Sequence, residues 1–338
     1  MIPSPVYVGL DYHTNFIQVC VLDAAGRVLA NRRCPNDARA VARWVRRHGR
    51  LHRAAIEVCA GAADLAEELI AHHGWSIDLA HPGYVHRMKG SPDKTDYSDA
   101  RMLADLTRVG YLPKVWLAPE SIRELRRLVR YRQQLVDERR AIKLRMRGLL
   151  RDLRITAPQA IRPWTKAWLA WLETCDALPT HGRWIMDRHL ENLRRLNEAI
   201  DEAARRLDEV TSDDVMVNRL REQPGVGPVT AWTLRAELGR FDRFASGKQL
   251  SRFCGLSPRN ASSGERQADA GLIKAGNRQL RAVIIEAAWR LIRYDQRWRH
   301  LALSLRGRGK PSSVVAAAVG NRWIRTLYHE MKPLGLAA

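Results

Sequence analysis

The sequence predicts a mixed α/β domain followed by a longer, mainly helical part. Three observations carry that expectation. Short β-prone runs bounded by turn signals concentrate in about the first third of the chain. Apolar residues recur at three- and four-residue spacings through much of the remainder. At 338 residues the chain is also long enough for two or three domains, each with its own core.

In the first third, Val6-Tyr-Val-Gly-Leu10, Phe16-Ile-Gln-Val-Cys-Val-Leu22 and Arg27-Val-Leu-Ala-Asn-Arg-Arg33 read as strands, with Asp23-Ala-Ala-Gly26 as a hairpin connection. Ala38 to His48 reads as a helix stopped by Gly49. A strand over Ala54 to Val58, a helix over Ala62 to His72, a strand over Ser76 to Ala80 and a helix from about Asp96 to Arg108 follow. The order βββαβαβα joins three strands by hairpins and then adds right-handed crossover units with parallel strands. It is the order of ribonuclease H-like nucleases, and residues 1–114 are assigned to such a domain.

Charge narrows the class of partner. The chain holds 57 Lys+Arg against 36 Asp+Glu, a net of +21, with a pI near 10.6. The hydrophobic fraction of 46% excludes wholesale disorder, so the positive excess points to a polyanion, nucleic acid ahead of a membrane surface. No apolar run approaches the ~20 residues of a spanning helix, and the N-terminus lacks the pattern of a secretory signal. Five scattered cysteines (Cys20, Cys34, Cys59, Cys175, Cys254) without C-x-x-C spacing argue against a disulfide framework and a zinc site. A cytoplasmic, nucleoid-associated protein is expected. Residues 1–114 carry 15 basic and 12 acidic side chains, 115–215 carry 20 and 16, and 216–338 carry 22 and 8. The basic surfaces are therefore expected on the C-terminal part and on the segment 120–154, with 12 basic against 5 acidic residues.

The acidic minority carries the candidate chemistry. Asp11 lies at the end of the first strand and Glu57 near the end of the fourth, where a lone carboxylate is costly without a compensating cation or donor. Asp96 and Asp99, in Lys94-Thr-Asp-Tyr-Ser-Asp-Ala100, are three apart on the predicted helix and project from one face. Four such groups converging make an oxygen cage for one or two Mg²⁺ ions beside a phosphodiester. Asp96 also suits a helix cap or first turn, and Asp11 the start of a turn. Asp64, Asp93 and Asp105 are read as helix-surface or loop charges.

From Pro119 a long helix is expected to about Arg154, with a seam of Ile122, Leu125, Val129, Val136, Ile142, Met146 and Leu149 and arginines such as Arg126 and Arg130 on other faces. A second helix from about Gly182 to Val210 would complete a helical hairpin or a dimeric coiled coil, residues 115–215 forming this linker and dimerisation segment. The basic faces would meet phosphate or form a solvated stalk. Residues 216–338 make the C-terminal part. There Gln223-Pro-Gly-Val-Gly-Pro-Val-Thr-Ala231 has the form of a helix-hairpin-helix, whose Gly225 and Gly227 would expose backbone N–H groups to phosphate, or an ordinary tight turn. Phe253-Cys-Gly-Leu-Ser-Pro-Arg-Asn-Ala-Ser-Ser-Gly264 presents two serines, Ser262 and Ser263, and leads to a helix with Lys274, Asn277, Arg278 and Arg281; Arg259 lies within the loop. Those basic groups could orient a serine toward phosphate, although such a loop is more often ordinary.

The series Gly-Leu-Asp11, Ile-Glu57, Lys-Thr-Asp96-Tyr-Ser-Asp99-Ala, Pro-Gly-Val-Gly, Gly-Leu-Ser-Pro-Arg, Ser-Ser-Gly and Lys-Ala-Gly-Asn, in order over about residues 5–330, resembles the DEDD-type insertion-sequence transposases, or bridge recombinases. The resemblance implies a RuvC-like catalytic domain in which Asp11, Glu57, Asp96 and Asp99 hold Mg²⁺, and a C-terminal domain whose Ser263, or Ser262 in the adjacent register, attacks DNA to form a phosphoserine intermediate. It further implies a composite site completed between subunits, strand exchange through a Holliday junction, double-stranded donor and target DNA, a structured bridge RNA that supplies sequence specificity, and assembly as a homodimer and tetramer. Two other readings remain: a structure-selective nuclease using the same carboxylates with water as nucleophile, and a nucleic-acid-binding protein without catalysis.

Overall fold

A computed structural model describes residues 4–88, 95–260, 269–273 and 276–336. The chain divides into two compact units, residues 1–118 and 119–338.

The first unit is a six-stranded mixed sheet with helices on both faces. Its elements are β1 (Pro5–Tyr12), β2 (Phe16–Leu22), β3 (Val28–Pro35), α1 (Ala38–Val45), β4 (Arg50–Glu57), α2 (Ala62–His73), β5 (Ile77–Ala80), α3 (Pro82–Met88), α4 (Asp96–Arg108) and β6 (Lys114–Val115). Strand order is β3-β2-β1-β4-β5-β6. β1 pairs antiparallel with β2 and β2 with β3; β1, β4 and β5 are parallel neighbours; β6 returns antiparallel on the edge of β5. This is the arrangement expected of a ribonuclease H-like sheet. Helix α3 and strand β6 are additions to the expected order, both short enough to leave little periodic signal.

Pleating assigns the two faces. Along β1, Val6, Val8 and Leu10 point into one core, shared with Val41 and Val45 of α1 and with Leu65 and Leu69 of α2. The intervening positions Gly9 and Asp11 therefore face the other way. On that second face Cys20 and Leu22 of β2 meet Ala100 and Ala104 of α4, and Ala55 of β4 packs with Leu103 of α4 and Val85 of α3. Gly9 lets α4 lie directly on β1: a Cβ there would come 2.0 Å from the Ala100 carbonyl oxygen and 2.5 Å from the Ala104 nitrogen. Helix α4 starts sharply because Thr95 caps it, its Oγ1 accepting from the Ser98 N–H at 3.1 Å while the Ser98 hydroxyl reaches back to the Thr95 N–H. Asp96 is thus the first helical residue and not the cap.

The second unit is helical apart from one two-stranded ribbon. Helix α5 (Glu120–Asp152) is 33 residues, about 50 Å long; α6 (Lys166–Glu173) follows, and α7 (Thr180–Val210) returns antiparallel to α5. Leu135 of α5 packs with Ile200 and Ala203 of α7, and Ile142, Met146 and Leu150 pack with Met186, Leu190 and Leu193. The expected hairpin therefore forms within one chain. The seam passes through Leu135 and Leu150 in place of Val136 and Leu149, which lie one residue aside and only half-buried. The 129-to-135 gap is bridged by Arg132, whose side chain is partly buried beside α7; that burial holds its guanidinium below the usual arginine range.

Beyond the hairpin come α8 (Val215–Arg221), α9 (Pro228–Leu238), α10 (Gly247–Phe253), β7 (Pro258–Asn260), β8 (Asp269–Leu272), α11 (Arg278–Tyr294), α12 (Gln296–Gly307) and α13 (Ser312–Met331). Their core, including Trp232, Leu234, Phe241, Leu280, Ile284, Val319, Trp323 and Leu327, continues into Leu125 and Val129 of α5 and Leu207 of α7. Strands β7 and β8 pair antiparallel, Pro258 opposite Leu272 and Asn260 opposite Asp269. No helix among the described residues is long and apolar enough to cross a membrane.

Candidate functional site

The site-bearing end of the first unit is built by parallel pairing. Leu10 of β1 lies opposite Ile56 of β4, so the next residues, Asp11 and Glu57, emerge side by side at the C-terminal ends of adjacent parallel strands. Both occupy pleat positions on the α4 face, as Gly9 and Ala55 do. On α4, Asp96 stands four residues before the buried Ala100 and Asp99 four before the buried Leu103, so both project along the sheet-facing side of the first turn.

Three of these carboxylates act on one another through their charges. Burial holds the Asp11 carboxyl above the ordinary aspartate range; His13 beside it works in the opposite direction, and the charges of Asp99 and Asp96 raise it further. Glu57 joins the group through Cys59: burial raises that thiol, and the fields of Asp11 and Glu57 raise it again. The structure thus brings all four predicted acidic residues to one end of one sheet face. Asp105 pairs with Arg108 on the helix surface, Asp64 belongs to the first turn of α2, and Asp93 lies outside the described residues.

Two further residues enter this site that sequence reasoning missed. The Nε2 of His13 is 3.2 Å from an Asp11 oxygen and 3.4 Å from an Asp96 oxygen. Arg33, on β3, donates to the other Asp96 oxygen at 3.0 Å. His13 was legible in principle: it follows Asp11 by two positions and so continues the same pleat face. Arg33 depends on the β1-β2-β3 pairing and had no local signal. One ligand atom from each of Asp11, His13 and Asp96 lies within 4.8 Å of the others. A donor set of carboxylate oxygens with an imidazole nitrogen, gathered where like charges already oppose ionisation of Asp11, fits a divalent cation.

In the second unit, the residues expected to touch nucleic acid divide. Glu237, buried on α9, gathers three of them: Arg130 donates to both of its oxygens at 2.8 and 3.0 Å, Arg126 approaches at 3.7 Å while donating to the Ala236 carbonyl at 3.0 Å, and Asn277 donates at 2.9 Å. Asn277 also caps α11 through the N–H groups of Gln279 and Leu280. These side chains tie α5, α9 and α11 together. Gly225 takes a φ of 78° and backs onto α11, where a Cβ would lie 3.1 Å from that of Arg290. Gly227 begins α9 with open space around it and no side-chain cap. Arg259 is exposed on β7, Arg278 opens α11, and Arg281 reaches the Ile273 carbonyl at 3.4 Å. Ser262, Ser263 and Lys274 lie outside the described residues; β7 leads into the serine stretch and β8 leads out of it.

Residues 8–155 match the DEDD-type IS110 transposase family, and residues 217–302 match the family described as Transposase IS116/IS110/IS902. This chain belongs to the IS110 transposase family. The transposase is 28% identical over 323 residues to the transposase for insertion sequence element IS1111A of Coxiella burnetii, covering 93% of this chain and 86% of that one. It is 29% identical over 335 residues to a probable family 20 transposase of Pseudomonas aeruginosa, covering 95% of each. It is also 23% identical over 304 residues to a pilin gene-inverting protein of Moraxella bovis, covering 84% and 82%. The membership makes the protein an enzyme acting on DNA and implies use of a divalent metal.

The transposase also carries a basic groove that sequence reading did not single out. Helices α12 and α13 form its walls, with Arg297, Arg322, Arg325 and His329 around a space of about 520 Å³ and no carboxylate among the described residues that line it. Residues 296–331 contain seven Arg and Lys against Glu330 alone. Elsewhere in this unit arginines are often matched, as Arg235 is by Asp214, Arg188 by Glu191 and Arg221 by Asp208.

Proposed function

We propose that the transposase cuts and exchanges DNA strands by transesterification through a covalent phosphoserine. The observation that carries this reading is the gathering of Asp11, Glu57, Asp96 and Asp99 at one end of one sheet face in a chain of this family. These four would hold Mg²⁺, which when bound supplies Lewis-acid stabilisation of charge on the scissile phosphate. Arg33 and Thr95 keep Asp96 in place, Arg33 by its ion pair and Thr95 by fixing the start of α4. Ser263 is the nucleophile: its Oγ–P bond forms as one sugar ester bond to phosphorus breaks, the hydroxyl proton leaves, and the released sugar oxygen takes one up. The phosphoserine conserves the bond energy for rejoining to a new sugar hydroxyl.

The same reading assigns sequence choice to base pairing with a structured bridge RNA, and assembly to a homodimer and tetramer. The protein then needs to hold phosphate backbones without reading bases, which the arginines of the α12/α13 groove, Arg259 and Arg278 are suited to do. The turn from Gly225 to Gly227 before α9 would act as a helix-hairpin-helix contact.

The test is a denaturing gel of the full chain incubated with element-end DNA, cognate RNA and Mg²⁺. A protein–DNA adduct is expected with the wild type and is expected to vanish in Ser263→Ala and, separately, in Asp11→Ala. Normal recombination by Ser263→Ala overturns the serine mechanism. An adduct lost only in Ser262→Ala moves the nucleophile by one residue. Free DNA ends without an adduct would instead identify a nuclease that uses water.

A further inference from the structure

The residue that separates this site from a purely carboxylate cage is His13. It follows the last residue of β1, and its position is held by contacts other than the acidic ones. Its backbone N–H donates to the Phe16 carbonyl at 2.9 Å, closing the turn into β2. Its carbonyl accepts from the Asn36 side chain at 3.1 Å, and its ring stacks on Phe16 with centroids 4.5 Å apart and planes 24° from parallel. On the other side of the site, Arg33 lies over the same Phe16 ring at 4.2 Å and ties down the Asp96 oxygen that His13 does not approach. The imidazole Nε2 is therefore aimed, by covalent and packing constraints, at the point where one oxygen of Asp11 and the free-facing oxygen of Asp96 converge.

The separations match a shared cation. An octahedral site with bonds of ~2.1 Å has edges of ~3.0 Å between neighbouring ligand atoms. The Nε2 lies 3.2 and 3.4 Å from the two oxygens. We propose that His13 is a direct ligand of the divalent cation, giving this transposase a mixed nitrogen and oxygen donor set. This inference rests on the carboxylates holding a divalent cation, as read above. Imidazole favours first-row transition ions over Mg²⁺, which prefers oxygen and water, so the site selects Mn²⁺ more strongly than the four carboxylates alone would.

The experiment uses the full chain loaded with Mn²⁺ and read by electron paramagnetic resonance. Pulsed spectra of the wild type are expected to show ¹⁴N coupling from a bound imidazole. That coupling should switch to the ¹⁵N pattern in protein labelled with ¹⁵N-histidine, which requires no substitution, and should disappear in His13→Asn. Titration should show Mn²⁺ affinity falling at least tenfold in His13→Asn, with Mg²⁺ affinity changing less than threefold. Mn²⁺ bound by the wild type without histidine coupling overturns the inference and leaves the carboxylate reading standing. Failure of the wild type to bind Mn²⁺, or undiminished binding in Asp11→Asn, overturns both.

Discussion

Asp11 shows what the folded chain spends on its site. In the unfolded chain its carboxyl has the ordinary value of 3.8, and in the folded one it is raised by burial and by the charges of Asp99 and Asp96. The folded state thus holds that proton more tightly, so stability declines as pH rises from the unfolded value through the folded one. Asp11→Asn should raise the thermal midpoint in chelator at pH 7 by roughly 2–4 °C. A divalent cation should stabilise the wild type and leave the variant unmoved. Calorimetry with EDTA and with Mg²⁺ checks both, and a variant that melts lower in chelator would contradict the strain assigned to Asp11. Cation affinity should weaken as pH falls toward the raised Asp11 value, because binding must displace the proton. The four acidic candidates follow from strand and helix patterns, and His13 lay within reach of the same reading through its two-residue offset from Asp11, whereas Arg33 carries no signal until β1, β2 and β3 are laid side by side.

At the scale of elements, the close approach of α4 to β1 decides whether the acidic groups meet. A glycine within a strand ordinarily costs ~0.5–1 kcal/mol against alanine, so Gly9→Ala on an open sheet would stabilise. Here the added methyl would meet the Ala100 carbonyl oxygen at 2.0 Å, a backbone atom that moves only with its helix. Gly9→Ala is expected to destabilise by about 2–3 kcal/mol and, by lifting the N-terminal turn of α4, to weaken cation binding; equilibrium urea unfolding and a metal titration read the two effects separately. A stabilised variant would mean that α4 does not seat on β1. The helical hairpin shows a different limit of sequence reading. Apolar spacing located α5 and α7, but Val136 and Leu135 are adjacent and equally apolar, and only packing against Ile200 and Ala203 selects Leu135. Glu237 offered no cue at all: its role exists only because α5, α9 and α11 converge on it.

For the whole molecule, the excess of positive charge is unevenly committed. Arg126 and Arg130, on the basic segment 120–154, face Glu237, whereas Arg297, Arg322 and Arg325 line a groove with no carboxylate among its described lining residues. Arg322, Arg325 and His329 fall on one stripe of α13 spanning seven residue steps, about 10 Å of helix, which matches the axial rise of about three nucleotides of a duplex strand. Replacing Arg297, Arg322 and Arg325 together by alanine should weaken binding of duplex DNA or structured RNA about equally across sequences. It should also lower the slope of log affinity against log salt by about 2–3. Fluorescence anisotropy at several salt concentrations measures this, and separate DNA and RNA arms tell which backbone the groove holds. An unchanged slope for both would remove the groove from the nucleic-acid surface.

What the sequence determined by itself was the order of the main strands and helices of the first unit, α3 and β6 apart, the candidate carboxylates on β1, β4 and α4, and the mainly helical character of the second unit. These rest on local periodicity and on residue types that are costly to bury without compensation. The tertiary structure alone decided which basic residues are turned inward, which apolar row forms the α5 seam, and that His13 and Arg33 enter the acidic site. Those outcomes depend on contacts between strands and helices far apart in sequence, and no local pattern encodes the distance at which two such side chains come to rest.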